Sequence, residues 1–460
     1  MTRQASDTAG PPSSRLTHRD VLAIALPIIL SNVTTPLVGA IDTAVVGQLG
    51  DAAIMGGVAI GATIFSLAFW SFGFLRMGTS GLTAQADGAG ASEEAVATLE
   101  RAVLIGLGAG AGLILLQVPI LWLATVLIEG SAEVEAAAAS YFHVRIWSAP
   151  AVLVNYAISG WLIGLGRARS AFLLQLAINL VNIALSIFLV LGLGRGIAGV
   201  AEGSVAAEIA GLALGLAIVA REAGRRGGRV ALARVAERTA IRRMMAVNAD
   251  IMIRNVCLIG AFTYFTALSA RNGDVLLAAN ALLMDLFGIA AYFLDGFANA
   301  AEVHVGRAFG ARRTDRLREA LVLPAFWAGG LSVAAALVLW LAGPAVIDLM
   351  TTSAEVRAAA RDYLLWTAAT PLAGFACFQL DGIFIGATRS ADMRNMMILS
   401  LGAYLGAIAL LAPAFGNHGL WAALIVFFLA RGLTLGSRIP ALVDQLARES
   451  EPARPQSRGA

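Results

Sequence analysis

Residues 21–49 read VLAIALPIILSNVTTPLVGAIDTAVVGQL, an apolar run in which Asp42 is the one ionisable side chain. A helix of about 20 residues crosses a hydrocarbon core of about 30 Å, so this run is long enough to span a membrane. Its apolar residues are continuous rather than alternating, which excludes a strand of a membrane barrel. The stretch therefore predicts a membrane-spanning helix.

The rest of the chain follows the same pattern. Of 460 residues, 58% are hydrophobic and 14% charged, whereas soluble domains carry about 25% charged residues. The mean hydropathy is +0.77. We predict an all-α integral membrane protein with twelve transmembrane helices. The predicted spans are 21–49, 54–79, 97–127, 137–162, 170–191, 198–220, 244–270, 275–305, 319–341, 357–382, 396–414 and 420–441.

The second half of the chain repeats the first at a nearly constant offset, which indicates duplication. Six spans per copy preserve orientation, so we expect two pseudo-symmetric six-helix lobes related by an axis along the membrane normal. This symmetry is typical of secondary transporters, which bind solutes between the halves. The matched landmarks are Gly50-Asp51 with Gly273-Asp274, Gly73-Phe74 with Gly296-Phe297, Ser159-Gly160 with Asp381-Gly382, and Gly196 with Gly416.

The links predict domain boundaries and orientation. We expect an N-terminal segment (1–19), an N-lobe (20–221), an Arg-rich linker (222–243), a C-lobe (244–442) and a disordered tail (443–460). Arginines concentrate in alternate links, which predicts both termini in the cytoplasm and insertion in a bacterial inner membrane. The first segment has no apolar core typical of a removable signal peptide. We expect a monomer in contact with lipid.

Several function classes are excluded by missing motifs. Cys257 and Cys377 lie in apolar runs, and no His or Cys spacing suits a metal. No phosphate-binding loop or dinucleotide motif is present, so we expect no cofactor, no nucleic-acid partner and no enzymatic activity. A membrane-embedded enzyme would need a clustered catalytic set. The one compact candidate is Asp295 with Glu302 and His304, which we interpret as structural.

Asp42 is the first candidate functional residue, because an ionisable group at membrane depth is costly. A carboxyl in an apolar cavity can load and release a proton near neutral pH. Pro27 and Pro36 precede it and allow the helix to bend. Thr35 lies two turns before it on the same face. The alternative is an acid that caps or hydrogen-bonds near the water interface.

Span five presents Asn179, Asn182 and Ser186 on one helix face. Their side chains could hydrogen-bond a carboxyl on a facing helix, or join helices as polar residues often do in membrane bundles. Both interpretations stay open.

Further polar side chains lie mostly in the second half. A neutralised structural network among them and a substrate site are both open, because a buried acid is least costly when paired. We predict that Arg254 pairs with Asp250, four residues away, or with Asp295. The set comprises Glu208, Asp250, Arg254, Asp285, Asp295, Asn299, Glu302 and Asp381.

Several stretches together resemble the multidrug and toxic compound extrusion (MATE) family, in its DinF-like branch. They are PIILSNVTTPLVGAIDTAVVGQLG from Pro27, NLVNIALSIFLVLGLGRGIAGVA from Asn179, RNGDVLLAANALLMDLFGIAAYFLDGFANAAEVHVGRAFGA from Arg271 and LDGIFIGATRSADMR from Leu380. The resemblance covers nearly the whole chain, from Asp20 to about Leu442.

The resemblance implies V-shaped lobes, alternating access, and export of small organic, often cationic, compounds driven by a proton or sodium gradient. It places the coupling acid on Asp42, the kink on Pro27 and the supporting amide on Asn182. Several relatives carry an Asp where Ser186 stands here, and Phe265 occupies the position that matches Asp42 in the repeat. Both departures favour proton coupling at one carboxyl.

Other transport functions stay open. Within the same superfamily these are a sodium-coupled drug exporter, a lipid-linked precursor flippase and an organic-anion (citrate-like) exporter. Arg76, Arg145 and Arg254 would be the ligands of an anion. A major-facilitator transporter is disfavoured, because the link TAQADGAGASEE (83–94) lacks the basic run of that family.

Overall fold

The computed structural model describes residues 15–128, 131–226 and 232–450, and within them the chain is almost entirely helical. Eleven helices are long and apolar enough to cross a membrane, and the last of these breaks at Gly416, which confirms the predicted twelve spans. The helices are α1 (His18–Gly47), α2 (Ala52–Gly88), α3 (Ser92–Leu115), α4 (Ala132–Gly164), α5 (Ala168–Gly192), α6 (Gly196–Arg225), α7 (Arg238–Arg271), α8 (Asp274–Gly310), α9 (Thr314–Met350), α10 (Ala354–Gly386), and α11 (390–415) with α12 (417–436), which together form Ser390–Gly436. Shorter helices are Gln117–Ile128, Leu232–Val235 and α13 (Ile439–Ser450).

Side-chain caps define where several helices begin. Thr17 and Asp20 form a capping box at the start of α1. Asp51 Oδ1 accepts hydrogen bonds from the backbone N–H groups of Ala53 at 2.9 Å and Ile54 at 3.2 Å, which starts α2. Two helices are interrupted: α2 between Ala52–Ser71 and Phe74–Gly88, and α4 by a 3₁₀ turn at Ile146–Ser148.

The backbone confirms the duplication. Residues with positive φ, which end helices or turn links, recur at the same offsets of 220–223 residues as the sequence landmarks. In two pairs the N-lobe has glycine where the C-lobe has a residue with a side chain. The pairs are Gly50 with Gly273, Gly90 with Arg312, Gly166 with Thr388, and Gly196 with Gly416.

The lobes meet at one end of the bundle, the end at which α1 begins and α2 ends; we call it the terminal end. One hydrophobic core there contains Ile24 and Ile29 of α1 together with Phe297 and Ala300 of α8. At the opposite end two separate cores are each confined to one lobe. The lobes therefore form a V that is closed at the terminal end.

Polar contacts join the lobes at the terminal end. Asp87 at the end of α2 accepts hydrogen bonds from Arg226 of its own lobe at 2.8 Å and from Arg307 of α8 at 2.9 Å. Gln85 Nε2 donates to the carbonyl of Gly386 at 3.0 Å. These contacts form a polar seam across the closed end of the V.

The tail and the linker differ from expectation. Residues 443–450 were expected to be disordered, but they belong to α13, whose Leu442 and Leu446 are buried against the C-lobe. The prediction was wrong there because it rested on the polar composition of the tail. The two leucines lie four residues apart on one helix face, which is enough to pack an otherwise polar helix against the lobe. Residues 451–460 lie outside the described residues. The linker is shorter than expected, since α6 extends to Arg225 and α7 begins at Arg238.

Candidate functional site

One face of α8 carries a line of polar side chains that descends into the V. Asp285, Tyr292, Asp295, Asn299 and Glu302 follow one another at intervals of three, four or seven residues, which places them on one face. Burial increases along the line: Asp285 is exposed, Tyr292 is 37% exposed, Asp295 is half-buried, and Asn299 and Glu302 are 4% and 3% exposed. The line thus runs from the open cleft to its closed floor.

Contacts with the N-lobe show that this face points into the cleft. Asn32 Nδ2 of α1 donates to Asp295 Oδ2 at 3.1 Å. Arg76 Nη1 of α2 donates to Asn299 Oδ1 at 3.3 Å, and Asn299 Nδ2 donates to the Asp295 carbonyl at 2.7 Å. The predicted residues Asp295 and Asn299 therefore lie at the lobe interface. The structure does not bring them to Arg254.

The side chains of Asp295, Glu302 and His304, which we interpreted as structural, do not form a catalytic cluster. Asp295 and Glu302 share the cleft face of α8, whereas His304 faces Asp20 in the first turn of α1. Position 304 lies two residues after Glu302, about 200° around the helix, so the two side chains leave the helix in different directions.

Asp42 lies on α1 inside the N-lobe, and its carboxyl is half-buried. Its Oδ1 atom is buried and has no hydrogen-bond partner among the described residues. The Ser186 hydroxyl of α5 lies close enough to interact with this carboxyl. Ser186 Oγ also donates to Asn182 Oδ1 at 3.4 Å. The structure therefore brings together Asp42 and two of the three predicted polar residues of α5.

Helix α6 completes this cluster. Asn182 Nδ2 donates to Ser204 Oγ at 2.9 Å. The helices approach closely here, because a Cβ atom on Gly203 would lie 3.0 Å from the backbone nitrogen of Ser186. A line of polar side chains thus leads from α1 through α5 to α6.

Asn179 contacts α1 through a different residue. Its Nδ2 donates to Thr34 Oγ1 at 3.0 Å, and its Oδ1 accepts from Gln175 Nε2 at 2.9 Å. Asn179 therefore joins α5 to α1 about two turns from Asp42. The side chain of Thr35, which was predicted to share the Asp42 face, lies outside the described part of the structure.

Glu208 is a second carboxyl of the N-lobe interior. Its Oε2 accepts a hydrogen bond from Asn155 Nδ2 of α4 at 2.9 Å. Arg145, also on α4, interacts electrostatically with both Glu208 and Asp42. The guanidinium carbon of Arg145 lies 5.9 Å from the ring centroid of Phe69. This cation–π contact positions the Arg145 guanidinium next to the break in α4.

The C-lobe contains a different ionic set. Asp381 of α10 accepts from Arg254 of α7 and, at 2.7 Å, from Arg431 Nη2 of α12. Arg254 and Arg431 are 7% and 4% exposed. Two guanidiniums therefore share one carboxylate in the lobe interior, which neutralises only one of them.

The predicted partners of Arg254 were wrong. Asp250 accepts from Arg394 Nη1 at 2.5 Å and from Ser390 Oγ at 2.8 Å, and Arg254 pairs with Asp381 instead. The i,i+4 spacing does place Asp250 and Arg254 on one face of α7. Each side chain meets a neighbouring helix there, and a tertiary partner outcompetes an i,i+4 pair that contributes about 0.2–0.5 kcal/mol.

Helix α1 connects the N-lobe cluster to the lobe interface. It continues through both Pro27 and Pro36 as one helix. Pro36 has no N–H, so the carbonyl of Asn32 lacks its intrahelical donor. In the half of α1 near the terminal end, Ile29 packs against Gly296 of α8. The predicted kink position Pro36 therefore lies between Asp42 and the contacts of α1 with the C-lobe.

Sequence reasoning missed several members of both clusters. Ser204 lies one turn before Glu208 on α6, a spacing that could have placed both on one face. Asn32, Asn155 and Arg431 join partners in other helices, and no local pattern marks those contacts. Within residues 15–128, 131–226 and 232–450, no group of three or more His, Cys, Asp or Glu side chains could hold a metal.

Known proteins match the chain over most of its length. The MatE family model matches residues 27–188 and 251–411. The DNA damage-inducible protein F of Escherichia coli K12 is 42% identical over 415 residues, which cover 90% of each chain. A probable multidrug resistance protein NorM of Deinococcus radiodurans is 28% identical over 444 residues, 91% of this chain and 92% of that one. These matches confirm the resemblance to the DinF-like branch.

The fold also matches a solved structure. A multidrug resistance MATE family transporter in an outward-facing conformation superimposes with a TM-score of 0.82 at 19% identity, covering 92% of this chain and 96% of that chain. At this identity the likeness concerns the fold alone.

Proposed function

Because this chain belongs to the MatE family of transporters, we propose that it exports small organic cations by proton antiport, with Asp42 as the coupling carboxyl. Membership of a family of transporters agrees with the prediction that the chain is not an enzyme. The observation that carries the proposal is the half-buried Asp42 carboxyl, one oxygen of which has no hydrogen-bond partner among the described residues, on a helix that also contacts the other lobe.

The chemistry of the cleft favours a cationic substrate. The face of α8 that lines the cleft presents the carboxyls of Asp285 and Asp295 beside the Tyr292 ring. Acidic groups with an aromatic face attract organic cations. The names of two similar proteins, which describe multidrug resistance, agree with a broad range of such compounds.

Coupling would pass along α1. Protonation of Asp42 changes its interaction with Ser186 and allows α1 to bend at Pro27 and Pro36. The bend displaces Asn32, which lies between the two prolines and donates to Asp295 across the lobe interface. Substrate would then leave the cleft as protons enter the N-lobe. In this mechanism proton and substrate favour different arrangements of α1, which is the condition for antiport.

Orientation follows from the arginine-rich links. The seam at the closed end includes Arg226, Arg243 and Arg307. We infer that this end faces the cytoplasm and that the V opens outward. The protein would then lie in the bacterial inner membrane with both termini inside, acting as a monomer without a cofactor.

Export of an organic anion is the second candidate and is less well supported. The three arginines that would bind an anion already have protein partners: Arg76 donates to Asn299, Arg145 to Ser148 and Arg254 to Asp381. An anion would have to displace at least one of these contacts.

The test is efflux of ethidium from proteoliposomes under an imposed proton or sodium gradient. We expect the wild type to respond to the proton gradient and Asp42→Asn to lose at least about 90% of that rate, since one coupling carboxyl is removed. Glu133→Gln, an exposed acid of the same lobe, is the matched control. Efflux driven by sodium alone would overturn proton coupling. Gradient-driven flux of citrate but not of ethidium would favour the anion exporter.

A further inference from the structure

The polar seam at the terminal end consists of two matching halves. In each half the end of the second helix of one lobe, α8 or α2, contacts the end of the fourth helix of the other lobe, α4 or α10. Arg307 Nη2 of α8 donates to the carbonyl of Leu165 at 2.8 Å, and Gln85 Nε2 of α2 donates to that of Gly386 at 3.0 Å. Arg307 and Gln85 occupy equivalent positions of the repeat, whose offset is 220–223 residues.

Two glycines let α2 and α8 cross at close range in the seam. A Cβ atom on Gly88 of α2 would collide with the carbonyl of Arg307, and one on Gly310 of α8 would collide with the carbonyl of Gln85. These glycines are also equivalent in the repeat, so the crossing is nearly symmetric about the axis that relates the lobes. Packing this close is lost on a small separation, so the crossing comes apart whenever the terminal end opens.

The two halves of the seam differ in charge. Asp87 Oδ2 of α2 accepts from Arg307 Nε at 2.9 Å. Gly166, after α4, leaves room for this guanidinium, since a Cβ atom there would lie 2.7 Å from Arg307 Nη2. Thr388 occupies the equivalent position after α10, and its Oγ1 accepts from Gln85 Nε2 at 3.1 Å. One half of the seam is therefore ionic and the other is neutral.

Asp87 has a second cationic partner within its own lobe. Its Oδ1 accepts from Arg226 Nη1, at the end of α6, at 2.8 Å. The two oxygens of one carboxylate thus bind guanidiniums on opposite sides of the lobe interface. Within the described part of the chain, Arg307 forms an ion pair with no acid other than Asp87. When the lobes separate, Asp87 keeps Arg226 while Arg307 enters water, so opening leaves no carboxylate unpaired.

We propose that the Asp87–Arg307 ion pair is the releasable latch of the terminal end, and that Arg226 is a positioning residue that retains Asp87 when the latch opens. Arg226 and Arg307 compete for one carboxylate, and the repulsion between the two guanidiniums weakens the latch enough for it to release. In an exporter of the proposed kind this end opens to admit substrate from the cytoplasm. The inference rests on the alternating access of the proposed function, but not on Asp42, the coupling ion or the substrate.

The latch makes opposite predictions for its members. Asp87→Asn and Arg307→Gln each remove the ion pair between the lobes, so the open arrangement gains population. Arg226→Gln leaves Asp87 with Arg307 alone, so the closed arrangement gains population. A purely structural role for these three side chains would weaken the closed end in all three variants alike.

The experiment measures the distance between two spin labels by pulsed electron paramagnetic resonance, in detergent and without substrate or ion gradient. The labels are attached to cysteines placed at Arg169 and Ala391, exposed residues in the first turns of α5 and α11. These positions lie in different lobes at the terminal end, so their distance increases when it opens. The native Cys257 and Cys377 are first replaced by alanine.

We expect Asp87→Asn and Arg307→Gln each to raise the long-distance population at least about threefold. The matched control is Asp315→Asn, which removes an ion pair with Arg313 inside the C-lobe at the same end and should leave the distances unchanged.

Arg226→Gln is measured in the Gly310→Ala background, in which the collision with α2 raises the open population to a measurable level. We expect Arg226→Gln to reduce that population at least about twofold. In a protein that also carries Asp87→Asn, Arg226→Gln should have no effect, because the carboxylate for which the two arginines compete is gone.

Unchanged distances in both Asp87→Asn and Arg307→Gln would overturn the latch. A rise of the long-distance population in Arg226→Gln would overturn the role given to Arg226. Because no gradient is applied, these results are separate from those of the efflux assay. Distances that respond as expected without proton-driven efflux would keep the latch and reject the proposed function, and proton-driven efflux with unchanged distances would do the reverse.

Discussion

In the N-lobe two carboxyls lie near one guanidinium, whereas in the C-lobe two guanidiniums share one carboxylate. The first set contains partly exposed groups, and one carboxyl oxygen in it has no partner among the described residues. The second is buried, and both arginines donate to the same oxygen. We call them the N-lobe set (Asp42, Glu208, Arg145) and the C-lobe set (Asp381, Arg254, Arg431).

Matched positions of the repeat show where the two lobes differ. Positions of the C-lobe that match Asp42, Asn182 and Glu208, at offsets of 220–223 residues, are occupied by aromatic residues, Phe265, Tyr404 and Phe428. Phe265 packs edge-on against Trp421 with ring centroids 5.1 Å apart. At these positions one copy has polar side chains and the other has an aromatic core.

The largest expected effect concerns the C-lobe set. Asp381→Asn leaves two buried guanidiniums without a carboxylate, so we expect the free energy of unfolding to fall by about 3–5 kcal/mol. Unfolding in detergent by increasing SDS measures this loss, with Asp444→Asn on the exposed face of α13 as the control. Asp42→Asn should change the stability by less than about 1 kcal/mol, because it removes a charge that is not fully compensated. Equal losses of unfolding free energy in Asp381→Asn and Asp42→Asn would contradict the claim that the C-lobe set is structural and the N-lobe set is not.

A smaller effect is expected at the closed end of the V. A Cβ atom on Gly310 of α8 would collide with the carbonyl of Gln85 on α2, so Gly310→Ala should push the lobes apart there. We expect a short thiol-specific cross-linker to join cysteines placed at Gln85 and Thr388, whose side-chain atoms lie 3.1 Å apart across the seam, at least several-fold more slowly in this variant. Gly330→Ala is the control, since its Cβ would meet open space. An unchanged cross-linking rate would contradict the closed seam.

The smallest effect tests the repeat itself. Arg312 has a φ of 53° at a position where the N-lobe has Gly90. A left-handed backbone conformation costs a residue with a side chain about 1–2 kcal/mol, and Arg312→Gly removes this cost. Glycine loses more chain entropy on folding, which offsets part of the gain. We therefore expect Arg312→Gly to stabilise the protein by about 0.5–1 kcal/mol. Thermal unfolding in detergent would detect the gain. A loss of stability would show that the Arg312 side chain contributes more than its backbone strain.

Sequence reasoning predicted the parts of this architecture that depend on local pattern. Apolar runs longer than the bilayer thickness indicated twelve spans, and repeated landmarks such as Gly50 and Gly273 indicated the two lobes. The tail was mispredicted because two buried leucines of α13 stand among polar residues.

The site was predicted only in part, for a physical reason. Asp42, Asn182 and Ser186 stood out because polar groups within an apolar span are costly and share a helix face. The pairing of Arg254 with Asp381 depends on which helices of the C-lobe become neighbours, and 127 residues separate the two side chains. The spacing of residues in the sequence predicts which side chains share a helix face, but not which neighbouring helix that face contacts.

The most direct test of the central claim is the release of protons when substrate binds. Purified protein in weakly buffered detergent is mixed with ethidium, and a pH-indicator dye records the protons released per molecule bound. The account predicts about one proton for the wild type and none for Asp42→Asn, because substrate and proton favour opposite states of the N-lobe set. Undiminished release from Asp42→Asn would contradict coupling at Asp42.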